Sequence, residues 1–149
     1  MKTKRVFPTT YLLIAMLAMM AIHFLFPVAM IIPVPWNLLG IIPLALGVTL
    51  DLVADGAFHK ANTTVKPFEE SSVLVTAGAF RISRNPMYLG FVFVLIGVAV
   101  LLRSLSPYVI IVGYVILIQT MFIKVEEYML DEKFGARYQE YKRKTRRWL

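Results

Sequence analysis

The stretch RISRNPMYLG, from Arg81 to Gly90, places two arginines, an Asn–Pro pair and a tyrosine directly before an apolar run. Asn is a favourable N-cap residue for a helix, and Pro suits the first helical position. Arg81 and Arg84 could contact lipid phosphates, while Tyr88 fits the aromatic belt of a membrane. The stretch is therefore either the start of a helix or one wall of a site, and these residues leave both interpretations open.

A second segment that could do chemistry is KVEEYMLDEKFGARYQEYKRKTRRWL, residues 124–149. Apolar and aromatic residues recur in it at helical spacing with charges between them, which predicts an amphipathic tail helix that Gly135 bends or breaks. Its two adjacent glutamates, Glu126 and Glu127, lie close to the apolar block that precedes them. An interfacial helix that only rests on lipid headgroups explains the same pattern.

Residue types that are missing exclude several kinds of chemistry. The chain contains no cysteine, which rules out disulfides, thiolate catalysis and Cys-ligated metals. Its two histidines, His23 and His59, lie far apart and predict no metal site.

Four apolar blocks must position these polar segments: residues 11–32, 36–53, 88–102 and 107–123. Hydrophobic residues make up 58% of the chain, and a bilayer-spanning helix needs about 20 predominantly apolar residues. The first block is longer than the apolar core of a signal peptide, about 7–15 residues, so we expect it to be retained. The sequence predicts one membrane domain over residues 1–149, an all-α integral membrane protein with about four transmembrane helices, a loop at 55–87 and a tail at 124–149.

The distribution of charge predicts the orientation. Every Lys and Arg except Arg103 falls before the first block, between the second and third, or after the fourth. The positive-inside rule then places both termini and the 55–87 loop in the cytoplasm, as in a multi-pass protein of the inner cell membrane. This topology and anionic lipid headgroups account for the net charge of +7 without a nucleic-acid partner. Asp51, near the cytoplasmic end of the second block, is interpreted as reaching water.

Two segments together carry a family resemblance. LVTAGAFRISRNPMYLG, followed by EEYMLDEKFGARYQEY, resembles the isoprenylcysteine carboxyl methyltransferase and phospholipid methyltransferase family of membrane enzymes. The resemblance runs from about Thr63 to the C-terminus. It implies an S-adenosylmethionine-dependent methyltransferase without a Rossmann fold, in which the cytoplasmic loop and tail helix form the cofactor site. A lipophilic acceptor, isoprenoid-like or lipid-like, would reach this site from the bilayer.

The resemblance also implies roles for individual residues. Arg84 and Glu126 would be catalytic, with Arg84 adding a charge-assisted contact to the donor's carboxylate. The start of the helix would offer free N–H groups to that carboxylate, and either glutamate could accept the donor's ammonium or ribose hydroxyls. The cofactor-binding residues would be Val73, Leu74, Val75, Phe80, Asn85, Pro86, Met87, Tyr88, Glu126 and Glu127.

The chain departs from the family pattern at the acceptor side. Asn85 replaces the histidine of the carboxyl methyltransferases, although other relatives also carry Asn there. Phe122 stands where carboxyl-methylating relatives carry an arginine, and this missing charge weakens the prediction of a carboxylate acceptor. Phe122 and Arg147 are the residues assigned to acceptor binding.

Two other functions remain open from the sequence. A non-catalytic membrane adaptor would bind anionic lipid through the basic tail, and a nicotinamide-dependent reductase would use a related scaffold. The small number of predicted spans argues against the reductase, and the ability to bind each cofactor distinguishes all three functions.

Overall fold

A computed structural model describes residues 7–63 and 72–149. Residues 1–6, which include three of the charges used to predict the orientation, and residues 64–71, in the middle of the predicted loop, lie outside the described residues. The described part is helical, with a single isolated β-bridge between Met30 and Ser104. Its α-helices are α1 (Pro8–Leu25), α2 (Ile41–Lys60), α3 (Pro86–Leu102), α4 (Pro107–Ile118), α5 (Lys124–Phe134) and α6 (Ala136–Lys144).

Three helical segments are long and apolar enough to cross a membrane: Pro8–Leu25, Trp36–Lys60 and Pro107–Phe134. The apolar helix α3 is shorter, with 17 residues, or about 26 Å at 1.5 Å per residue. That length is at the lower end of the range for spanning helices. The all-α membrane fold predicted from the sequence is confirmed.

The helices begin and end at residues that differ from the predicted blocks. Helix α1 ends at Leu25, before the predicted end at residue 32, since Pro27 follows at once and the residue before a proline avoids helical backbone angles. Helix α2 continues to Lys60, past residue 53, where the apolar block ends. A change from apolar to polar residues does not end a helix, and no proline interrupts this stretch.

Helices α2 and α3 pack along a seam of glycines. A β-carbon added at Gly47 would lie 2.5 Å from the carbonyl oxygen of Gly90, and one added at Gly40 would lie 2.6 Å from that of Gly97. Small residues allow the two backbones to approach this closely, as is common between membrane helices. We call these four residues the glycine seam.

The fourth apolar block and the first half of the tail form one helical rod. Helix α4 passes through a π-helical turn at Gln119–Ile123 directly into α5, so the predicted boundary at residue 123 is not an interruption. The tail is not one helix over 124–149. It breaks at Gly135, which has a φ of +50° that L side chains rarely adopt, and α6 ends at Lys144.

Two apolar clusters hold these helices together. The bundle cluster contains buried residues of α1, α3, α4 and the π-helical turn, among them Met19, Leu95 and Ile118, which are all fully buried. A second cluster, which we call the tail cluster, joins Ala54 of α2 and Phe80 to Tyr138 and Tyr141 of α6. Several predicted site residues belong to these clusters: Phe80, Leu74, Val75 and Met87 to the tail cluster, and Tyr88 and Phe122 to the bundle cluster.

Candidate functional site

Helix α3 starts where the sequence predicts, but the side chain of its N-cap residue bonds outside the helix. Helix α3 begins at Pro86 with Asn85 in the N-cap position, yet the Asn85 side chain does not cap the helix. Its amide Nδ2 instead donates to the carbonyl oxygen of Arg147 at 3.0 Å. The predicted N-cap position of Asn85 is therefore confirmed, but its side chain bonds to the C-terminal segment instead of to the helix. Pro86 has no N–H, and the Asn85 N–H donates to the Ser83 hydroxyl at 3.1 Å, so the N–H groups of Met87 and Tyr88 are the ones at this end that have no acceptor within α3.

The segment that accepts the hydrogen bond from Asn85 is residues 145–149, which we call the C-terminal strap. It crosses the loop before α3. The Arg84 backbone N–H donates to the Arg146 carbonyl at 2.9 Å, and the Ser83 hydroxyl donates to the Arg147 carbonyl at 3.2 Å. The Trp148 indole N–H donates to Gln119 Oε1 at 3.1 Å in the π-helical turn. The strap thus ties the loop before α3 to the rod formed by α4 and α5.

Glu127 lies at the centre of a buried ion cluster. Arg84 Nη2 lies 3.0 Å from one Glu127 oxygen, and Arg147 Nη2 donates to the other at 2.7 Å. The side chains of Arg84 and Glu127 are each only 9% exposed, so this interaction is poorly screened by water. The hydrogen bond from Arg147 to Glu127 raises the pKa of the Arg147 guanidinium. The cluster holds Arg84 beside the start of α3. Both oxygens of the Glu127 carboxylate are paired with arginines of the protein itself.

Glu126 faces a different partner from its neighbour. The Tyr88 hydroxyl donates to Glu126 Oε1 at 2.8 Å, and the Tyr88 side chain is almost completely buried. This hydrogen bond joins the first turn of α3 to the first turn of α5. It therefore joins the two motif segments through residues that are 38 positions apart in the chain.

The tail cluster forms an apolar wall beside this pair. Phe80 is buried in it, and Leu74, Val75 and Met87 pack against it from the loop and from α3. The Tyr141 hydroxyl donates to the Phe80 carbonyl oxygen at 2.6 Å. Burial raises the pKa of Tyr138 to about 12 and also raises that of Tyr141. Both tyrosines stay protonated at neutral pH, so the Tyr141 hydroxyl remains a hydrogen-bond donor.

Two other predicted residues lie at opposite extremes of exposure. Val73 is 44% exposed and belongs to neither cluster, whereas Phe122 is 2% exposed within the bundle cluster. The Phe122 ring makes an edge contact with Tyr11, with 5.6 Å between ring centroids, and lies 6.3 Å from the Tyr88 ring. The Phe122 ring therefore packs beside the Tyr88 ring within the bundle cluster.

A basic groove opens beside the tail cluster and has a volume of about 420 Å³. Sequence analysis did not predict it, because its walls come from two segments that are far apart in the chain, residues 74–81 and 137–145. Arg81 lines it from the loop before α3, and Arg137, Glu140 and Lys144 line it from α6, where Glu140 and Lys144 are ion-paired 2.5 Å apart. The remaining lining residues are Leu74, Thr76, Tyr141 and Thr145.

The comparison with protein families shows the family to which the chain belongs. The profile of the phospholipid methyltransferase family matches residues 36–137, which include α2, α3, α4 and α5. The chain belongs to this family. This membership confirms the resemblance that the two motif segments carry. Together with the three long apolar helices, it shows that the protein is a membrane protein.

The matches to two of the relatives cover less than half of each relative's own length. The chain is 37% identical over 114 residues to "Protein-S-isoprenylcysteine O-methyltransferase" of Saccharomyces cerevisiae, a match that covers 73% of this chain and 46% of the relative. It is 38% identical over 77 residues to "Protein-S-isoprenylcysteine O-methyltransferase A" of Arabidopsis thaliana, covering 50% of this chain and 38% of the relative. The chain thus spans less than half the length of these relatives.

A shorter relative matches over its entire length. An uncharacterized protein of Haemophilus influenzae is 33% identical over 63 residues, which is 42% of this chain and 100% of the relative. No solved structure matches the chain.

Proposed function

We propose that this protein transfers a methyl group from S-adenosylmethionine to a lipophilic acceptor at the membrane–cytoplasm interface. The observation that carries the proposal is the hydrogen bond between Tyr88 and Glu126. It brings the first turn of α3 and the Glu126 carboxylate together, and Met87, the neighbour of Tyr88, packs against the tail cluster. The names of the relatives support methyl transfer as the reaction.

The residues at this place fit the chemical groups of S-adenosylmethionine. The start of α3, with its Asn85 side chain engaged elsewhere, offers backbone N–H groups to a carboxylate. Arg84 Nε is buried and has no hydrogen-bond partner among the described residues, so it remains as a further donor. Glu126 can accept from an ammonium or from ribose hydroxyls, and the wall formed by Phe80 and Met87 is apolar enough for a nucleoside.

The chain's own contribution to the reaction is alignment and exclusion of water. A bound sulfonium donor supplies an activated methyl group. The protein then has to hold the acceptor in line with that methyl and keep the site dry, and it needs no covalent nucleophile. We assign the donor-binding role to the start of α3, Arg84 and Glu126, and the nucleoside wall to the loop residues from Val73 to Val75 together with Phe80. Glu127 contributes to donor binding indirectly, because its ion pair holds Arg84 in position.

Binding of the demethylated cofactor tests the proposal directly. We expect S-adenosylhomocysteine to bind the purified protein saturably in lipid nanodiscs, as measured by calorimetry. Glu126→Gln should weaken binding by about tenfold or more, because a hydrogen bond to a charged group contributes about 1.5–3 kcal/mol. The matched control is Glu132→Gln, an exposed glutamate on the same helix. Absence of binding to folded wild-type protein, or an equal loss in the control, would refute this site.

The adaptor function has one specific observation in its favour, which is the basic groove with Arg81 and Arg137 on its walls. A protein that only binds anionic lipid would bind vesicles containing phosphatidylglycerol without binding S-adenosylhomocysteine. Binding of reduced nicotinamide cofactor instead would indicate the reductase. The same calorimetric experiment therefore distinguishes the three functions.

A further inference from the structure

The side chain of Asn85 is turned away from the helix that it precedes. Asn is among the most favourable N-cap residues, and its side-chain oxygen ordinarily accepts a hydrogen bond from the second or third N–H of the helix. In α3 those two N–H groups belong to Met87 and Tyr88, and Asn85 makes no side-chain cap. The ψ of 58° at Asn85 also lies outside the extended region that capping residues typically adopt. A residue that suits capping is therefore engaged elsewhere.

The C-terminal strap holds Asn85 in this position. The carbonyl oxygen of Arg147 accepts two hydrogen bonds from the loop before α3, one from Asn85 Nδ2 at 3.0 Å and one from the Ser83 hydroxyl at 3.2 Å. The same Ser83 hydroxyl accepts the backbone N–H of Asn85 at 3.1 Å. Ser83 and Asn85 are both buried. Asn85 is thus fixed at its backbone and at its side chain.

The strap has anchors of its own on the rod formed by α4 and α5. The Arg147 guanidinium pairs with Glu127, and the Trp148 indole N–H donates to Gln119 Oε1. Trp148 also packs against the bundle cluster. These contacts set the position of the Arg147 carbonyl independently of the loop that it holds.

A second group at this end of α3 favours an anionic ligand. Arg84 directly precedes Asn85, and its side chain is 9% exposed. Its Nη2 pairs with Glu127 and its Nη1 donates to the Lys142 carbonyl oxygen at 3.4 Å, whereas its Nε is buried without a hydrogen-bond partner among the described residues. A buried donor without an acceptor is unfavourable, so a ligand that carries acceptor oxygens suits this position.

We propose that Asn85 is a positioning residue, which the Arg147 carbonyl keeps from capping α3 so that the N–H groups of Met87 and Tyr88 stay open to the donor's carboxylate. The inference rests on the proposed function and adds to it the residue that keeps this end of the helix open. An Asn side chain can donate through its nitrogen and accept through its oxygen. In this structure it makes the bond to the strap and not the bond to the helix. A cap would occupy the two N–H groups that a carboxylate needs.

Asn85→Asp tests this competition with almost no change in shape. An ionised Asp cannot donate to the Arg147 carbonyl, but it caps helices as well as Asn does. We expect it to weaken binding of S-adenosylhomocysteine in nanodiscs by about tenfold or more, the effect of losing a hydrogen bond to a charged group. Methylthioadenosine, which keeps the nucleoside but lacks the carboxylate, should bind the variant and the wild type alike.

The matched control is Asn62→Asp, which adds the same charge at an exposed position just after α2. It should bind S-adenosylhomocysteine as the wild type does. No weakening in Asn85→Asp, or equal weakening of both ligands, would overturn the inference, because general damage to the site would not depend on the carboxylate of the ligand.

Hydrogen exchange reports the capping itself and needs no ligand. We expect Asn85→Asp to slow exchange of the Met87 and Tyr88 amides by about fivefold, the factor that corresponds to a typical N-cap. In the wild type, S-adenosylhomocysteine should slow exchange of the same two amides. Unchanged exchange of both amides in Asn85→Asp would mean that this side chain does not compete for them, and the positioning role would be wrong.

Trp148→Ala tests the part that the strap plays, because it removes one anchor and leaves Arg147 in place. We expect S-adenosylhomocysteine to bind this variant about fivefold more weakly, since the released Asn85 side chain is then free to cap α3. In an Asn85→Ala background the competing side chain is absent, so Trp148→Ala should change the affinity by less than about twofold. Leu149→Ala, at the exposed end of the strap, is the control. A fivefold loss that persists in the Asn85→Ala background would contradict the competition.

Binding to the wild type separates this inference from the function on which it rests. If S-adenosylhomocysteine binds the wild type and Asn85→Asp equally, the positioning role is wrong while the methyltransferase function stands. If it does not bind folded wild-type protein, the proposed function and this inference both fail.

Discussion

Glu126 and Glu127 are adjacent in the chain, yet their carboxylates serve different partners. Neighbouring residues on a helix point about 100° apart, so one side chain reaches Tyr88 while the other lies between Arg84 and Arg147. The sequence predicts that this pair of glutamates matters. It cannot assign the partners, because both arginines are far from Glu127 along the chain and no local spacing rule relates them.

Glu127→Gln tests the ion cluster at the level of a single residue. The substitution keeps the shape of the side chain but leaves two guanidinium groups without their counter-charge. We expect it to lower the free energy of unfolding by about 3 kcal/mol, the lower end of the cost of breaking a buried pair. Thermal unfolding in detergent, followed by tryptophan fluorescence, measures the effect.

The control for this prediction is Glu140→Gln, which removes the exposed ion pair with Lys144. Surface ion pairs contribute little, so we expect its unfolding midpoint to stay near that of the wild type. Equal destabilisation by both substitutions would mean that the buried Glu127 cluster contributes no more to stability than an exposed ion pair does.

Among the elements, the helices with strong local signals could be predicted and the strap could not. Prolines begin α1, α3 and α4, and the sequence already places Pro86 and Pro107 at helix starts. Local signals of this kind act within a few residues, so they can be recognised without the fold. The C-terminal strap has no such periodicity. It is held by hydrogen bonds to residues 20 or more positions away, some of them more than 60 positions away, such as that from Asn85 to Arg147.

Gly135→Ala tests the break between α5 and α6. The φ of +50° at Gly135 is a conformation that costs a residue with a β-carbon about 1–3 kcal/mol. We expect a lower unfolding midpoint and weaker docking of α6, detected as faster hydrogen exchange of the backbone of Tyr138 and Tyr141. Gly113→Ala is the matched control, because Gly113 has an ordinary helical φ and nothing lies within 4 Å of an added β-carbon. A midpoint lowered as much by Gly113→Ala would contradict the backbone explanation.

At the scale of the whole molecule, the charges and the apolar clusters divide it into two parts. The bundle cluster lies among helices that can cross a membrane, whereas the tail cluster joins α6 to the loop before α3 and to the last part of α2. The basic groove belongs to the second part. This division suits the predicted orientation, in which α6 and the proposed donor site face the cytoplasm.

Single-cysteine labelling tests that orientation. The chain has no cysteine, so each introduced thiol is the only one present. Leu105→Cys, exposed in the turn between α3 and α4, should react with a membrane-impermeant maleimide in intact cells. Glu140→Cys, exposed on α6, should react only after the cells are permeabilised. The reverse pattern would invert the proposed topology.

The glycine seam has a consequence for which substitutions this protein tolerates. Any side chain at Gly40, Gly47 or Gly97 would lie within 2.7 Å of atoms in the opposite helix, so even alanine should part α2 from α3. Exposed apolar positions on the same bundle, such as Leu52 and Val109, face no such limit. A complete mutational scan would therefore show two pairs of positions that tolerate no side chain, Gly40 with Gly47 and Gly90 with Gly97, each pair seven residues apart. The exposed apolar positions around them would accept other apolar residues. Such a pattern would trace the line along which the two helices touch without any need to determine their coordinates.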